Sequence, residues 1–235
     1  FLRLVMVKLT EVDKNGNEHR VTGLKLFGSD YPQIITCDKI KPGDVLFCYQ
    51  DPKSESFFNK KKTKLIQSKT KGIYVHCGIY LGNDLVADAA GKFVRTIKLN
   101  EFIDSYSYIV VSRCEYVKED KITKMIAYAY NCVENKIEYD LGGAINLPKK
   151  RMEHRRFIWG NKPKPNIEKK NDKMFCSEFV LNCFKASGYI SKDDKTYVAH
   201  MWSPTDLAHD DLLSFQGYIA INGIESIHRD DIFLL

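Results

Sequence analysis

Apolar residues recur at two different periods along this chain. Leu2–Leu9 and His19–Phe27 read as two strands, with Asp13-Lys14-Asn15-Gly16-Asn17 supplying an Asn-Gly turn between them. A hairpin on its own is marginal, so this one is expected to pack on the rest of the protein. Lys41-Pro42-Gly43-Asp44 is a turn feeding a strand at Val45-Leu46-Phe47. The most apolar stretch, Gly72–Gly82, is followed by Leu85–Ala90 and Phe93–Leu99, which read as successive antiparallel strands. Tyr108–Tyr116 and Phe215–Ile221 add two more.

Between and after these runs the period becomes helical. Asn100–Ser105 resembles a short helix, and Asp120–Val133 spaces Ile122, Met125, Ile126, Tyr128, Ala129 and Cys132 close to a helical period. Phe175–Ala186 places Phe179, Val180, Cys183 and Phe184 on one face and is closed by Gly188. Ser203-Pro204-Thr205-Asp206-Leu207 combines an N-cap serine, proline at the first helical position and an acid in the first turn. No internal repeat occurs. The pattern predicts an α+β fold, an antiparallel β-sheet packed against helices.

Two polar stretches interrupt the pattern. Gln50–Lys71 holds six lysines between Lys60 and Lys71 and reads as a loop. Leu147–Lys173 carries three of the seven prolines and ten basic residues against Glu153, Glu168 and Asp172, and reads as a long exposed excursion. The expected organisation is a hairpin extension over residues 1–30 and one domain over 31–235, with a basic insertion at 147–173. A solvated loop is the favoured reading of these charges, with contact to an anionic surface as the alternative.

Composition narrows the classes. The chain has 235 residues, 44% apolar and 12% aromatic, which is ordinary globular composition. A net charge of +6 falls short of a dedicated nucleic-acid binder, and no aromatic stacking motif lies beside the basic clusters. No uncharged stretch approaches the roughly 18–20 apolar residues of a helical membrane span. The seven cysteines include no Cys-x-x-Cys, which argues against a structural zinc site. A chain this long buries its own core without a disulfide framework. Mostly reduced, buried thiols are expected, with room for one reactive one. The chain starts at Phe1, and Arg3 and Lys8 break its first apolar run, a poor signal peptide. A trimmed chain is expected, with its compartment unread: secreted or periplasmic, or delivered to a target cell.

Three residues carry candidate chemistry. Cys176, in Met174-Phe175-Cys176-Ser177-Glu178, stands where the helical pattern begins. A thiol in the first turn faces unpaired N–H groups and the positive end of the helix dipole, which favours the thiolate. The plainer reading is a buried structural cysteine. His76, in Tyr74-Val75-His76-Cys77-Gly78-Ile79-Tyr80, lies in a strand apolar enough to disfavour its charge, so it needs a partner. Gly78 marks close approach by another group. Asp88 orients His76 in one hairpin register and not in another. A three-residue turn Gly82-Asn83-Asp84 puts both on one face, and a two-residue turn Gly82-Asn83 sends Asp88 to the other.

Five blocks now fall in order: Gly43-Asp44-Val45-Leu46-Phe47, Val75-His76-Cys77-Gly78-Ile79-Tyr80, Val86-Ala87-Asp88-Ala89, Phe175-Cys176-Ser177-Glu178-Phe179-Val180 and Ser203-Pro204-Thr205-Asp206-Leu207. Together they resemble the circularly permuted NlpC-type papain-like cysteine hydrolases of the YiiX-like branch, over about Ile40–Leu207. The permutation places the histidine strand before the cysteine helix. The resemblance implies a permuted papain-like fold with Cys176 as nucleophile, His76 as general base and Asp88 at the third polar position. Tyr139, in Tyr139-Asp140, matches a tyrosine-containing block that lines the site. It implies an amidase or peptidase acting through a thioester with no cofactor, on a peptide or other acyl substrate, with peptidoglycan-type peptides leading.

Two rivals remain. A lipid acyltransferase or phospholipase-like enzyme is one; the lecithin–retinol acyltransferase group places a second histidine where this chain has Asp88. A binding module that kept the fold and lost activity is the other, and the presence of both Cys176 and His76 counts against it.

Overall fold

The computed structural model describes residues 9–12, 18–21, 33–51, 72–159, 173–220 and 226–234. Near the N-terminus, β1 (Leu9–Val12) and β2 (Glu18–Val21) pair antiparallel from Leu9↔Val21 to Val12↔Glu18. The hairpin is thus present, with each strand shorter than the apolar pattern suggests. The lysine-rich segment 60–71 lies outside the described residues.

Six further strands are β3 (Val45–Tyr49), β4 (Tyr74–Gly82), β5 (Leu85–Ala90), β6 (Phe93–Lys98), β7 (Tyr108–Arg113) and β8 (Ser214–Ile219). They form one sheet in the order β6-β5-β4-β3-β7-β8, each neighbour antiparallel. The helices are α1 (Leu99–Asp104), α2 (Glu119–Glu134), α3 (Leu141–Trp159), α4 (Cys176–Ala186) and α5 (Pro204–Ala208). The class is α+β, as the hydrophobic pattern predicts.

Both faces of the central strands are buried, which is why β3 and β4 read as continuous apolar runs rather than alternating ones. On one face Val45, Phe47, Cys77 and Ile79 cluster with Phe179, Val180, Cys183 and Phe184 of α4. On the other, Leu46, Cys48, Tyr80 and Val86 cluster with Leu99, Phe102 and Ile103 of α1. The turn before β3 is fixed by a buried carboxylate. Asp44 accepts from the Lys41 N–H and from Arg113 Nε and Nη2, the last two at 2.7 Å each.

Helix α4 is held at both ends. Phe179 N–H bonds the Phe175 carbonyl, and Glu178 accepts from the Phe175 N–H. At the other end Gly188 adopts φ +70, with Gly188 N–H on Lys185 O and Tyr189 N–H on Phe184 O. That pair of bonds is a Schellman motif. Helix α5 begins at the N-cap Ser203, whose Oγ accepts from the Asp206 N–H while Asp206 accepts from the Ser203 N–H.

The basic excursion departs from expectation. Its first part continues helix α3, which runs from Leu141 through Pro148 to Trp159. Proline supplies no N–H and normally ends a helix. Here tertiary contacts outweigh that cost. Asp140 Oδ1 accepts from the Gly143 N–H at the helix start, and Arg151 donates to the Met201 carbonyl and to Asp206. Residues 160–172 lie outside the description. Among the described residues no helix is long and apolar enough to cross a membrane.

Candidate active site

Helix α4 starts with Cys176 itself, so the thiol occupies the first helical position, where backbone N–H groups lack intrahelical acceptors. Cys176 is 5% exposed. Cys37 is exposed, and the other five cysteines are buried.

The hairpin register decides whether Asp88 reaches His76. Strands β4 and β5 pair Gly78↔Asp88, Ile79↔Ala87 and Tyr80↔Val86, then Gly82↔Leu85, with an irregularity between Tyr80 and Gly82. The turn is Asn83-Asp84, both at positive φ (50 and 57), a conformation asparagine and aspartate tolerate. Neither simple turn occurs as written. A two-residue turn plus a bulge produces the register of the three-residue one, and Asp88 shares the face of His76. His76 Nε2 and Asp88 Oδ2 are 2.8 Å apart, with Asp88 wholly buried.

The β4–β5 ladder stops at Gly78↔Asp88. Beyond that pair, Cys176 at the start of α4 comes within interaction range of both Cys77 and His76 of β4.

Charge follows this geometry. The Cys77 hydrogen bond lowers the Cys176 pKa, burial opposes it, and the His76 charge and hydrogen bond add to it; the result is well below the usual thiol range. Burial works against an imidazolium at His76. The charge of Cys176, the hydrogen bonds to Asp88 and Cys176, and the charge of Asp88 outweigh it and push the pKa up to about 10. Burial also opposes ionisation of Asp88, but His76 and Arg95 hold its pKa below the usual carboxylate value. Burial, then Cys176 itself, raises Cys77 well above an ordinary thiol. The Cys176 and His76 shifts both act in the direction of a thiolate beside an imidazolium, and the Cys77 shift toward a protonated thiol.

Other side chains pack around the pair. The Tyr106 ring stacks on the His76 ring (centroids 5.9 Å, 18° between planes), and Phe102 lies 6.0 Å from it. A Cβ on Gly78 would stand 2.9 Å from the Ala87 carbonyl and 3.3 Å from the Phe102 ring. The close approach expected at this glycine is therefore that of a neighbouring strand and of α1.

Tyr139 is bridged in parallel to Met174, two residues before Cys176, with Met174 N–H on Glu138 O and Asp140 N–H on Met174 O. Burial raises its hydroxyl pKa, and the charge of Cys176 adds to that. The four candidate residues therefore lie together. Sequence reasoning missed Arg95, Cys77, Tyr106 and Phe102. Arg95 had a signal: the Gly91-Lys92 turn of Ala90↔Phe93 sets Arg95 opposite Asp88. Cys77 had none, because strand alternation points it away from His76.

A cavity of about 750 Å³ lies on the far side of α4, lined by Tyr128, Glu178, Asn182, Lys185 and Asp193 among others. Neither Cys176 nor His76 lines it.

The order of elements, a histidine strand before a cysteine helix, meets an independent comparison here. Residues 39–151 match the permuted papain-like amidase family YaeF/YiiX, C92. This is the family that the ordered sequence blocks resemble. The match covers the strands that carry His76, Asp88 and Arg95, and the segment with Tyr139, and ends before Cys176. Among solved structures, the metalloprotein yiiX from Escherichia coli O157:H7 is similar at 17% identity and a TM-score of 0.44. The similarity covers 77% of this chain and 88% of that one. No curated protein matches the sequence.

Proposed function

We propose that this protein is a cysteine amidase or peptidase that works through a thioester, with Cys176 as nucleophile, His76 as general base and acid, and Asp88 holding the imidazole. The observation that carries this reading is the buried His76–Asp88 contact of 2.8 Å, with Cys176 at the first position of α4 and its thiol within the influence of the His76 charge.

In the proposed cycle the Cys176 thiolate attacks the substrate carbonyl carbon. The carbonyl π electrons move to oxygen, and the Cys176 N–H at the helix start donates to that oxyanion. His76 gives its proton to the leaving nitrogen, the C–N bond breaks and the amine departs, leaving a thioester. Neutral His76 then takes a proton from water as the hydroxide oxygen bonds to the thioester carbonyl. The C–S bond breaks, the carboxylic product leaves, and the thiolate–imidazolium pair returns. Asp88 fixes the ring tautomer throughout. Tyr139, held beside Met174, lines the acyl site.

The substrate class we favour is a peptide amide of cell-wall type. The matched family is one of amidases, and Asp88 replaces the second histidine of the lipid-acyl-transferring group. The test is intact-mass analysis of wild type and Cys176→Ala after incubation with peptidoglycan peptides or with phospholipids. Peptide cleavage lost in Cys176→Ala supports the amidase. A long-chain acyl adduct on Cys176 supports the lipid enzyme instead. Turnover of neither, together with slow and unselective alkylation of Cys176, supports a binding module.

A further inference from the structure

The third member of the site is itself held by a group from outside it. Arg95 stands directly across from Asp88 in the β5–β6 ladder. Its Nε donates to Asp88 Oδ1 at 3.0 Å and its Nη2 lies 3.5 Å from Oδ2, the oxygen that accepts from His76. The carboxylate is wholly buried, whereas the arginine side chain is 51% exposed. The guanidinium therefore closes the carboxylate off from solvent and spans both oxygens, a geometry that an arginine fork makes and a point charge does not.

We propose that Arg95 is a positioning residue for the Cys176 site, acting through Asp88 to keep its carboxylate ionised and in the plane that serves His76. This inference rests on the reading of Cys176 and His76 as the reactive pair. Two features argue for more than a surface ion pair. Asp88 has a second partner of fixed direction, His76 Nε2, so any rotation of the carboxylate moves the imidazole. A buried carboxylate with a single partner is also far costlier to keep charged than one with two. The groups facing Asp88 are His76 and Cys77 of β4, Cys48 of β3, Arg95 of β6, Tyr106 and Tyr139. Arg95 itself faces Asp88, Tyr106 and Glu101. Arg95 is the one cation among these besides His76, so its loss strengthens proton binding at Asp88 and weakens the imidazolium that favours the Cys176 thiolate.

The test needs no substrate. The rate of Cys176 carboxamidomethylation by iodoacetamide is followed by peptide mass spectrometry from about pH 4 to about pH 9, in wild type, Arg95→Gln and Arg95→Lys. Arg95→Gln is expected to move the acid limb of the profile up by about 0.5–1 pH unit, the size set by a half-exposed, screened charge. Arg95→Lys keeps the charge without the fork. Its limb stays with wild type while its plateau rate falls about two- to threefold. An Arg95→Gln limb that overlays wild type, with only the melting temperature lowered, overturns the proposal and leaves Arg95 as a structural ion pair. Should Arg95→Gln not fold, an Arg95→Lys plateau equal to wild type overturns it as well. Unselective labelling of wild-type Cys176 overturns the underlying reading of the reactive pair, a result distinct from either Arg95 outcome.

Discussion

Asp88 Oδ2 lies 2.8 Å from His76 Nε2, and these two residues come from adjacent strands joined by a turn of two residues and a bulge. The contact ties the ionisation of a wholly buried carboxylate to the orientation of an imidazole that also serves Cys176. Asp88→Asn keeps the shape and removes the charge. Alkylation of Cys176 at neutral pH is then expected to fall about tenfold, and the alkaline limb to move to lower pH, because the imidazolium has lost a stabilising anion. Rate profiles like those for Arg95, extended to about pH 11 so that they pass the raised His76 pKa, read both effects, and an unchanged alkaline limb would mean that Asp88 does not support the imidazolium.

The dyad also shapes stability against pH. With the Cys176 pKa depressed well below the ordinary thiol value and that of His76 raised to about 10, the folded dyad keeps one proton, on His76, between these two limits. The unfolded chain carries imidazole near pKa 6.5 and thiol near 8.5, both approximate reference values. Between about pH 6.5 and about 8.5 the two states bind equal protons, so the contribution of the dyad is flat. Below that window the unfolded state binds one more proton, and stability falls as pH falls, the sign of a depressed Cys176. Above it the folded state binds one more, and stability falls as pH rises toward about 10, the sign of a raised His76. Asp88, also depressed, adds to the acid loss. Urea denaturation across this range is expected to show a shoulder that Cys176→Ala reduces on the alkaline side. The same alkaline loss in Cys176→Ala would rule out the ion pair as its source.

Gly78→Ala introduces a methyl group against the Ala87 carbonyl, Val86 and the Phe102 ring. Backbone cannot yield cheaply, so a cost of about 1–3 kcal/mol is expected, or roughly 2–4 °C of melting temperature for each kcal/mol. Phe102 also packs on His76, so Cys176 alkylation should slow in the same variant. Loss of stability with wild-type alkylation would separate the packing role from the site.

Another buried carboxylate, Asp231, lies at the C-terminal end of the described chain. Asp231 accepts from the hydroxyls of Tyr74 (2.8 Å), Tyr108 (2.7 Å) and Tyr218 (2.9 Å) and from the Phe233 N–H. It fastens the C-terminal residues across three strands of the sheet. Each single Tyr→Phe change is expected to cost about 1 kcal/mol, and Asp231→Ala about 3 kcal/mol or more, since it takes the carboxylate acceptor from three buried hydroxyls. Adding Tyr108→Phe to Asp231→Ala should then cost little further or recover some stability. Additive losses in this cycle would show that the hydroxyls do not depend on the carboxylate.

Much of the fold was legible because burial acts on pattern. The apolar runs at β3 and β4, the helical face of α4 with its Gly188 closure, and the Ser203 cap of α5 are local consequences of residue type. Helix α3 was not legible, because Pro148 and the surrounding charge argue for a loop. Only the Asp140 cap and the reach of Arg151 to Met201 and Asp206 show why a helix persists there.

The site divides the same way. Sequence by itself determined the residue types, their order and the helix-start position of Cys176, since these depend on neighbours along the chain. It left open the face of Asp88, because a one-residue change in a turn inverts every side chain of a strand. Tertiary structure decided that register through the bulge between Tyr80 and Gly82, and seated α4 so that Cys176 comes within reach of both His76 and Cys77. Contacts between residues a hundred positions apart depend on how strands separate and helices seat, and no local pattern encodes that distance.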